Sequence, residues 1–281
     1  MNLNMSKIEF SKMVGSGNDF IVISLLRNNL AGLKSLARKI CDRKYGLGAD
    51  GLLVLDRAKG VDLNMRIFNA DGSEAQMCGN GARCAALWWA NSICKRQNVS
   101  LKIKTIAGII ESGVEADKIR IKLTDPKAIK MGIPLVVFGR KIKANFINTG
   151  VPHTVVFVDG LDKIDVVGLG QQIRRHKYFA PAGTNVNFVE VCANDLIKVR
   201  TYERGVEDET LACGTGSVAS ALLGVSCFNL GLRGAVKVQT QSGEILTVSY
   251  KKTANDFTDV WLEGKAKIIC KGEYYLGGKN V

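Results

Sequence analysis

The chain has 281 residues, enough for one large domain or two of ordinary size, and its 46% hydrophobic and 23% charged content is that of a globular protein. No apolar run approaches the ~20 residues of a membrane span, and Met1–Lys12 lacks the continuous apolar stretch of a signal peptide, so no membrane partner and a cytoplasmic setting are expected. The net charge of +13 is spread along the chain without a block of five like charges or interleaved aromatics, which argues against nucleic acid and for a basic surface that steers an anionic small molecule.

Ile8 and Phe10 alternate with polar neighbours, as in a half-buried strand. Gly15-Ser16-Gly17-Asn18-Asp19 turns into a buried strand, Phe20–Ile23. Leu30, Leu33, Ala37, Ile40 and Cys41 fall at helical spacing and predict an amphipathic helix over 29–43. Gly46–Gly51 is glycine-rich but lacks the G-K-[ST] ending of a phosphate loop and reads as a tight connection into a strand over 52–56. Leu63, Met65 and Ile67 alternate up to Phe68-Asn69, and Ala70–Ser73 turns toward Cys78. Further strands are expected near 99–103, 109–114 and 119–123, with a boundary at Asp125-Pro126. Strands near 135–138, 142–148 and 154–158 follow, then a helix over 162–175 and strands over 184–191 and 197–202. The last strands are expected near 235–241, 244–250, 258–262 and 266–275.

Two stretches organise this order. Cys78-Gly79-Asn80-Gly81 opens a helix that is apolar all round, Trp88 and Trp89 included, and Cys213-Gly214-Thr215-Gly216 opens another. Such helices must be wrapped on every side, here by the surrounding strands. Thr105 and Gly108 follow Cys78 at the same intervals at which Thr240 and Gly243 follow Cys213, and Arg66–Asn69 resembles Arg200–Glu203. The shared order implies two similar halves, 1–124 (with 266–281 returning to it) and 125–265, whose helix N-termini are expected to converge on a cleft.

Of the eight cysteines none forms a C-x-x-C pair, and there are only two histidines, so no metal site is expected. A disulfide framework is likewise not expected in a cytoplasmic chain of this size. A single Cys-Gly-x-Gly reads as a helix cap; two in repeated context read as a reactive pair. Inverting a carbon stereocentre without a cofactor needs a base on one face and an acid on the other, and a thiolate with a thiol supplies both. Helix N–H groups favour the thiolate, and can hold a substrate carboxylate.

These residues resemble the diaminopimelate epimerases. The resemblance is carried by Gly17–Phe20, Phe68–Glu74, Cys78–Cys84, Pro152-His153, Asn185–Phe188, Tyr202–Gly205 and Ala212–Gly216, in that family's order. It implies an α+β fold of two similar, pseudo-symmetric domains, each a curved, mostly antiparallel sheet wrapped round a central buried helix. It also implies cofactor-independent interconversion of LL- and meso-diaminopimelate by a homodimer, feeding lysine and peptidoglycan synthesis. Carried over by position, Cys78 and Cys213 would be the acid/base pair. Gly79-Asn80 and Gly214-Thr215 would bind the reacting carboxylate. Asn18, Asn69, Asn185, Glu203 and Arg204 would contact substrate, and His153 and Glu203 would tune the thiols. The chain departs from the pattern at Gly51, in place of a Gln, and at Val151, in place of an Asn.

Two other readings compete. One is a racemase of the same fold acting on proline, hydroxyproline or histidine; Tyr202-Glu203-Arg204-Gly205 argues against it, because a second charged end needs such partners. The other is a non-catalytic polyanion-binding protein, against which the complete cysteine pair argues.

Overall fold

The computed structural model describes residues 7–26, 30–96, 98–253 and 256–276. Asn29, the expected first residue of the first helix, lies outside the described residues, as do Met1–Ser6 and Gly277–Val281 of the expected first half. The chain runs β1 (Lys7–Gly15), β2 (Asn18–Ser24), α1 (Leu33–Ile40), β3 (Gly51–Asp56), β4 (Leu63–Asn69), β5 (Glu74–Ala75), α2 (Gly79–Trp89), β6 (Asn98–Thr105), β7 (Gly108–Glu115) and β8 (Lys118–Lys122). It continues with β9 (Lys127–Val137), β10 (Arg140–Asn148), β11 (Pro152–Phe157), α3 (Val166–Arg174), β12 (Asn185–Ala193), β13 (Leu196–Glu203), β14 (Asp208–Thr210), α4 (Gly214–Phe228), β15 (Ala235–Gln239), β16 (Ile245–Lys252), β17 (Phe257–Lys265) and β18 (Lys267–Tyr275). Many strands around few helices make the α+β class. The chain divides into two compact units, Met1–Ile121 with Lys265–Val281, and Lys122–Gly264.

In the first unit β18, β1 and β2 are antiparallel neighbours, β2 runs parallel to β3 with α1 on the crossover, and β4 lies antiparallel to β3. One end of β4 holds the short β5; the other runs parallel to β6, which starts the β6–β7–β8 meander. The strands wrap α2, which buries every residue from Asn80 to Trp88. Trp89 is only half-buried, and the helix is not apolar all round, because Asn80 and Arg83 are among its buried residues.

The second unit repeats this plan. β9, β10 and β11 are antiparallel neighbours, β11 runs parallel to β12 with α3 on the crossover, and β13 lies antiparallel to β12. β14 sits at one end of β13, β15 runs parallel to the other end, and β15–β16–β17 close the meander. The strands enclose α4, which buries Gly216 to Val225.

The strand registers equate the two units residue by residue. Phe20 pairs with Gly51 and His153 with Asn185, while Leu53 pairs with Ile67 and Asn187 with Thr201. Phe20 thus corresponds to His153, Leu53 to Asn187 and Asn69 to Glu203. The register also explains both repeated sequence signals. Arg66 forks onto Glu74 at 2.6 and 2.9 Å, and Arg200 onto Glu209 at 2.7 and 2.7 Å, each across the hairpin before a cysteine. Partly exposed pairs of this kind contribute no more than about 1 kcal/mol, so their main effect is to fix the hairpin. The T-x-x-G turns pin the cysteine loops: Ala107 N–H donates to Gln76 O and Ser242 N–H to Leu211 O, each acceptor two residues before its cysteine.

Several element boundaries differ from the expected ones. The first helix covers Leu33–Ile40, because Gly32 stands in the left-handed region at φ 69° and cannot continue it backwards. The helix expected over 162–175 starts at Val166, where the Asp165 carboxylate accepts from Gly168 N–H at 2.9 Å; one 3₁₀ turn, Leu161–Lys163, precedes it. The strand expected at 135–138 begins at Lys127. Positive φ at Ala128 and Gly132 and a proline at 134 disturb its alternation and hide the first half.

Candidate active site

Cys78 is the N-cap of α2, with extended backbone (φ −142°, ψ 120°), and its carbonyl accepts from Ala82 N–H at 2.8 Å. Its Sγ accepts from Gly81 N–H at 3.4 Å, so a first-turn donor points at the sulfur. A negative sulfur is favoured there by that donor and by the helix dipole. Gly81 carries the close approach: a Cβ on it would stand 3.1 Å from Leu53 Cδ2 and 3.8 Å from the sulfur.

Two amides run away from this turn, Asn80 buried and Asn18 half-buried. Asn80 Nδ2 donates to Asn18 Oδ1 at 2.7 Å, and Asn18 Nδ2 donates to Asp50 Oδ2 at 3.0 Å. Arg83, fully buried, donates from Nη2 to Asn80 Oδ1 at 2.8 Å and to Ser16 Oγ. The far end is ionic: Arg43 reaches Asp50 at 2.7 Å and Asp19 at 2.9 Å, and Lys12 lies 2.7 Å from Asp19. Burial works to raise Asp19, but hydrogen bonds from Arg43, Lys12 and the Asp50 N–H hold its carboxyl at about 2. Asn18 is therefore oriented by a charge network and not only by turn chemistry.

Cys213 caps α4 in the same way (φ −115°, ψ 112°), with Ser217 N–H donating to its carbonyl at 2.8 Å. Its sulfur makes no cap bond to the helix and instead lies 3.6 Å from Thr215 Oγ1. Thr215 Oγ1 is 3.0 Å from Nε2 of the fully buried His153, and His153 Nδ1 is 3.1 Å from Asn187 Nδ2. Burial, with the Arg204 guanidinium adding to it, pushes the imidazole down to about 3, so His153 is neutral and is not a base near pH 7. Gly216 makes room for this arrangement, since a Cβ there would fall 2.4 Å from Asn187 Oδ1.

The structure brings Asn18, Gly79 and Asn80 together beside Cys78, and Gly214, Thr215 and His153 beside Cys213. Asn185, 4% exposed, clamps the backbone: Nδ2 donates to Pro152 O at 3.1 Å, and Oδ1 accepts from Arg204 N–H at 2.8 Å. Arg204 Nη1 donates to Ala182 O at 2.9 Å. Burial pushes the Glu203 carboxyl up, against the Thr210 side chain, which lowers it. Asn69 stands apart from the amide chain, exposed at its hairpin end, where Nδ2 donates to Ser73 Oγ at 2.9 Å. Sequence reasoning missed Asp50, Arg83, Asn187 and Thr201 as parts of these networks. The signal for Asn187 is its place two residues after Asn185 on one strand, which puts both amides on one face.

A family model for diaminopimelate epimerase matches residues 10–129 and 145–281. The chain belongs to the diaminopimelate epimerase family. It is 41% identical over 284 residues to the diaminopimelate epimerase of Aquifex aeolicus (strain VF5), covering 94% of this chain and 97% of that one. Its fold is similar to that of a phenazine biosynthesis protein of the PhzF family from Bacillus anthracis (TM-score 0.74, 16% identity, 97% and 100% of the two chains). It is also similar to that of a probable proline racemase from Agrobacterium radiobacter K84 (TM-score 0.71, 14% identity, 96% and 93%). Gly51, where the resemblance leads one to expect a Gln, stands at a crowded place, since a Cβ on it would lie 2.9 Å from Phe68 O. A side chain at 51 would need β3 to shift against β4.

Proposed function

We propose that this member of the epimerase family interconverts LL- and meso-2,6-diaminopimelate by two-base proton transfer, with Cys78 and Cys213 as the proton carriers. The observation that carries this reading is the repetition of one arrangement: each cysteine N-caps a buried helix ahead of a Gly-x-Gly turn. A thiolate removes the α-proton and leaves the electron pair on carbon. A thiol on the opposite face delivers its proton to that carbon. The centre is inverted, the two sulfurs have exchanged protonation states, and no proton is consumed.

The N–H groups of Gly79-Asn80 and Gly214-Thr215 suit the reacting carboxylate and the charge that develops on it. Asn18 steadies Asn80 from behind. Asn69, Asn185, Glu203 and Arg204 serve the distal end; a guanidinium has five N–H donors, and Arg204 gives one nitrogen to Ala182 O. His153 acts on Cys213 through Thr215, and Glu203, raised by burial, tunes the same half-site. We also propose a cytoplasmic homodimer that supplies meso-diaminopimelate for lysine and peptidoglycan precursors. The described residues contain no helix long and apolar enough to cross a membrane; light scattering of the purified chain tests the dimer.

The deciding assay compares kcat/KM for LL-diaminopimelate with those for proline, alanine and histidine. A site that hydrogen-bonds a second amino-acid end rejects substrates lacking it by as much as ~10⁴. A value for proline or histidine comparable to that for diaminopimelate would transfer the assignment to a racemase of the same fold.

A further inference from the structure

We propose that Asn187 is a positioning residue that locks His153 as the Nε2–H tautomer, so that the Thr215 hydroxyl donates its proton toward the Cys213 sulfur. The inference rests on the reading of Cys213 as a proton carrier.

The argument starts at a backbone carbonyl. Asn187 Nδ2 lies 3.1 Å from Thr154 O, and a carbonyl can only accept, so the atom facing it is the amide NH₂. The orientation is fixed a second time on the other side, where Thr201 Oγ1 donates to Asn187 Oδ1 at 3.0 Å. The second hydrogen of the same NH₂ group points at His153 Nδ1, 3.1 Å away, and makes that nitrogen an acceptor. A neutral imidazole with an accepting Nδ1 carries its proton on Nε2. Nε2 then donates to Thr215 Oγ1 at 3.0 Å, and the hydroxyl hydrogen is directed to Cys213 Sγ at 3.6 Å. Asn187, His153 and Thr201 are each 3% exposed or less, so water does not compete for the bonds that fix the amide and the imidazole Nδ1, while Thr215 is half-buried.

Two further features support the assignment. The charged group acting on His153 is the Arg204 guanidinium, which together with burial keeps the ring neutral and so leaves a single proton to place. The equivalent positions of the first unit are Leu53 and Phe20, which can form no such relay, and there the sulfur takes a helix N–H instead. The relay belongs to Cys213 and is not a by-product of the repeated fold.

The chain has two histidines, so ¹⁵N-histidine NMR of the wild-type protein shows two imidazoles, and His176→Gln assigns them. His153 is expected as one tautomer, protonated on Nε2, unchanged across neutral pH. In Asn187→Asp a carboxylate faces Nδ1 and accepts, so a proton is expected on Nδ1. Thr215→Val removes the hydroxyl and should slow alkylation of Cys213 about 10-fold at neutral pH, with Cys78 unaffected, as expected for loss of a hydrogen bond to a charged group. Adding Asn187→Asp to Thr215→Val should change the Cys213 rate no further. A wild-type His153 protonated on Nδ1, or a mixture of tautomers, overturns the proposal even if neither variant folds. Unchanged alkylation of Cys213 in Thr215→Val overturns it too. None of these readouts requires turnover, so their failure is distinct from failure of the epimerase reading.

Discussion

The two units give their cysteines the same backbone and different neighbours. Behind Cys78 the equivalent core positions are Phe20 and Leu53, and the sulfur accepts from Gly81 N–H. Behind Cys213 they are His153 and Asn187, and the sulfur faces a hydroxyl. The polar network of the first unit ends in fixed charges, Arg83 on one side and Asp50, Asp19, Arg43 and Lys12 on the other. Behind Cys213 the hydrogen-bonded chain itself is neutral, an amide, an uncharged imidazole and a hydroxyl, with the Arg204 guanidinium acting on the imidazole from outside it. A repeated scaffold therefore does not make two equal thiols. Epimerisation by two bases needs them unequal at any instant, and each half-site stabilises its sulfur by separate means.

The largest effect should come from removing either sulfur. Cys78→Ala and Cys213→Ala should each lower kcat/KM by about 10³-fold or more, since each face then lacks its proton carrier. Near-normal turnover in one variant and not the other would show that a single base serves both faces.

A smaller effect should follow from putting the residue of one half-site into the other. Thr215 of the second motif corresponds to Asn80 of the first. Asn80→Thr would strip Asn18 and Arg83 of a buried partner and should cost about 1–3 kcal/mol of stability, seen as a lower denaturation midpoint. Stability within a few tenths of a kcal/mol would mean that the amide chain is incidental.

The most gradual effect is a pH slope, spread over the interval between the two pKa values of one imidazole. His153 is held at about 3 in the folded chain against an ordinary 6.5. Between these values the unfolded chain binds more protons, so stability is full above about 6.5 and falls as the pH drops toward 3, by at most about 1.4 kcal/mol per pH unit. His153→Phe, which installs the first unit's residue, should flatten that part of the profile. An equal slope in the variant would place the titrating group elsewhere. Asp19 acts only lower, losing its contribution as the pH falls from 3.8 toward 2.

Most of the scaffold was legible because it is written in local patterns. The alternation of Leu63, Met65 and Ile67 gave β4, and the Cys-Gly-x-Gly pairs gave both wrapped helices. The T-x-x-G repeat was visible as spacing, but its reason, a turn bonded to the cysteine loop, is a long-range contact that no window of sequence contains. The irregular first half of β9 and the short β5 and β14 were hidden for a different cause. Bulges erase alternation, and two- or three-residue strands exist only through their partners. At the site, residues inside the motifs were found. Asn187 and Asp50 were not, because an Asn in a strand and an Asp beside a glycine look like ordinary packing and turn chemistry until the register sets them against His153 and Asn18. The family resemblance makes His153 a tuner of the thiols; which of its nitrogens faces what comes only from its neighbours.

The most direct measurement follows hydrogen through the first turnovers. LL-diaminopimelate is incubated with the enzyme in deuterated water, and substrate and product are separated while little has reacted. Two unequal carriers predict meso-diaminopimelate with one deuterium at the inverted carbon, delivered by one sulfur, and recovered LL-diaminopimelate still carrying its proton, since the other sulfur took it from product-forming molecules only. Deuterium in the recovered substrate ahead of product, or meso-diaminopimelate that keeps the original proton, would contradict the two-cysteine account.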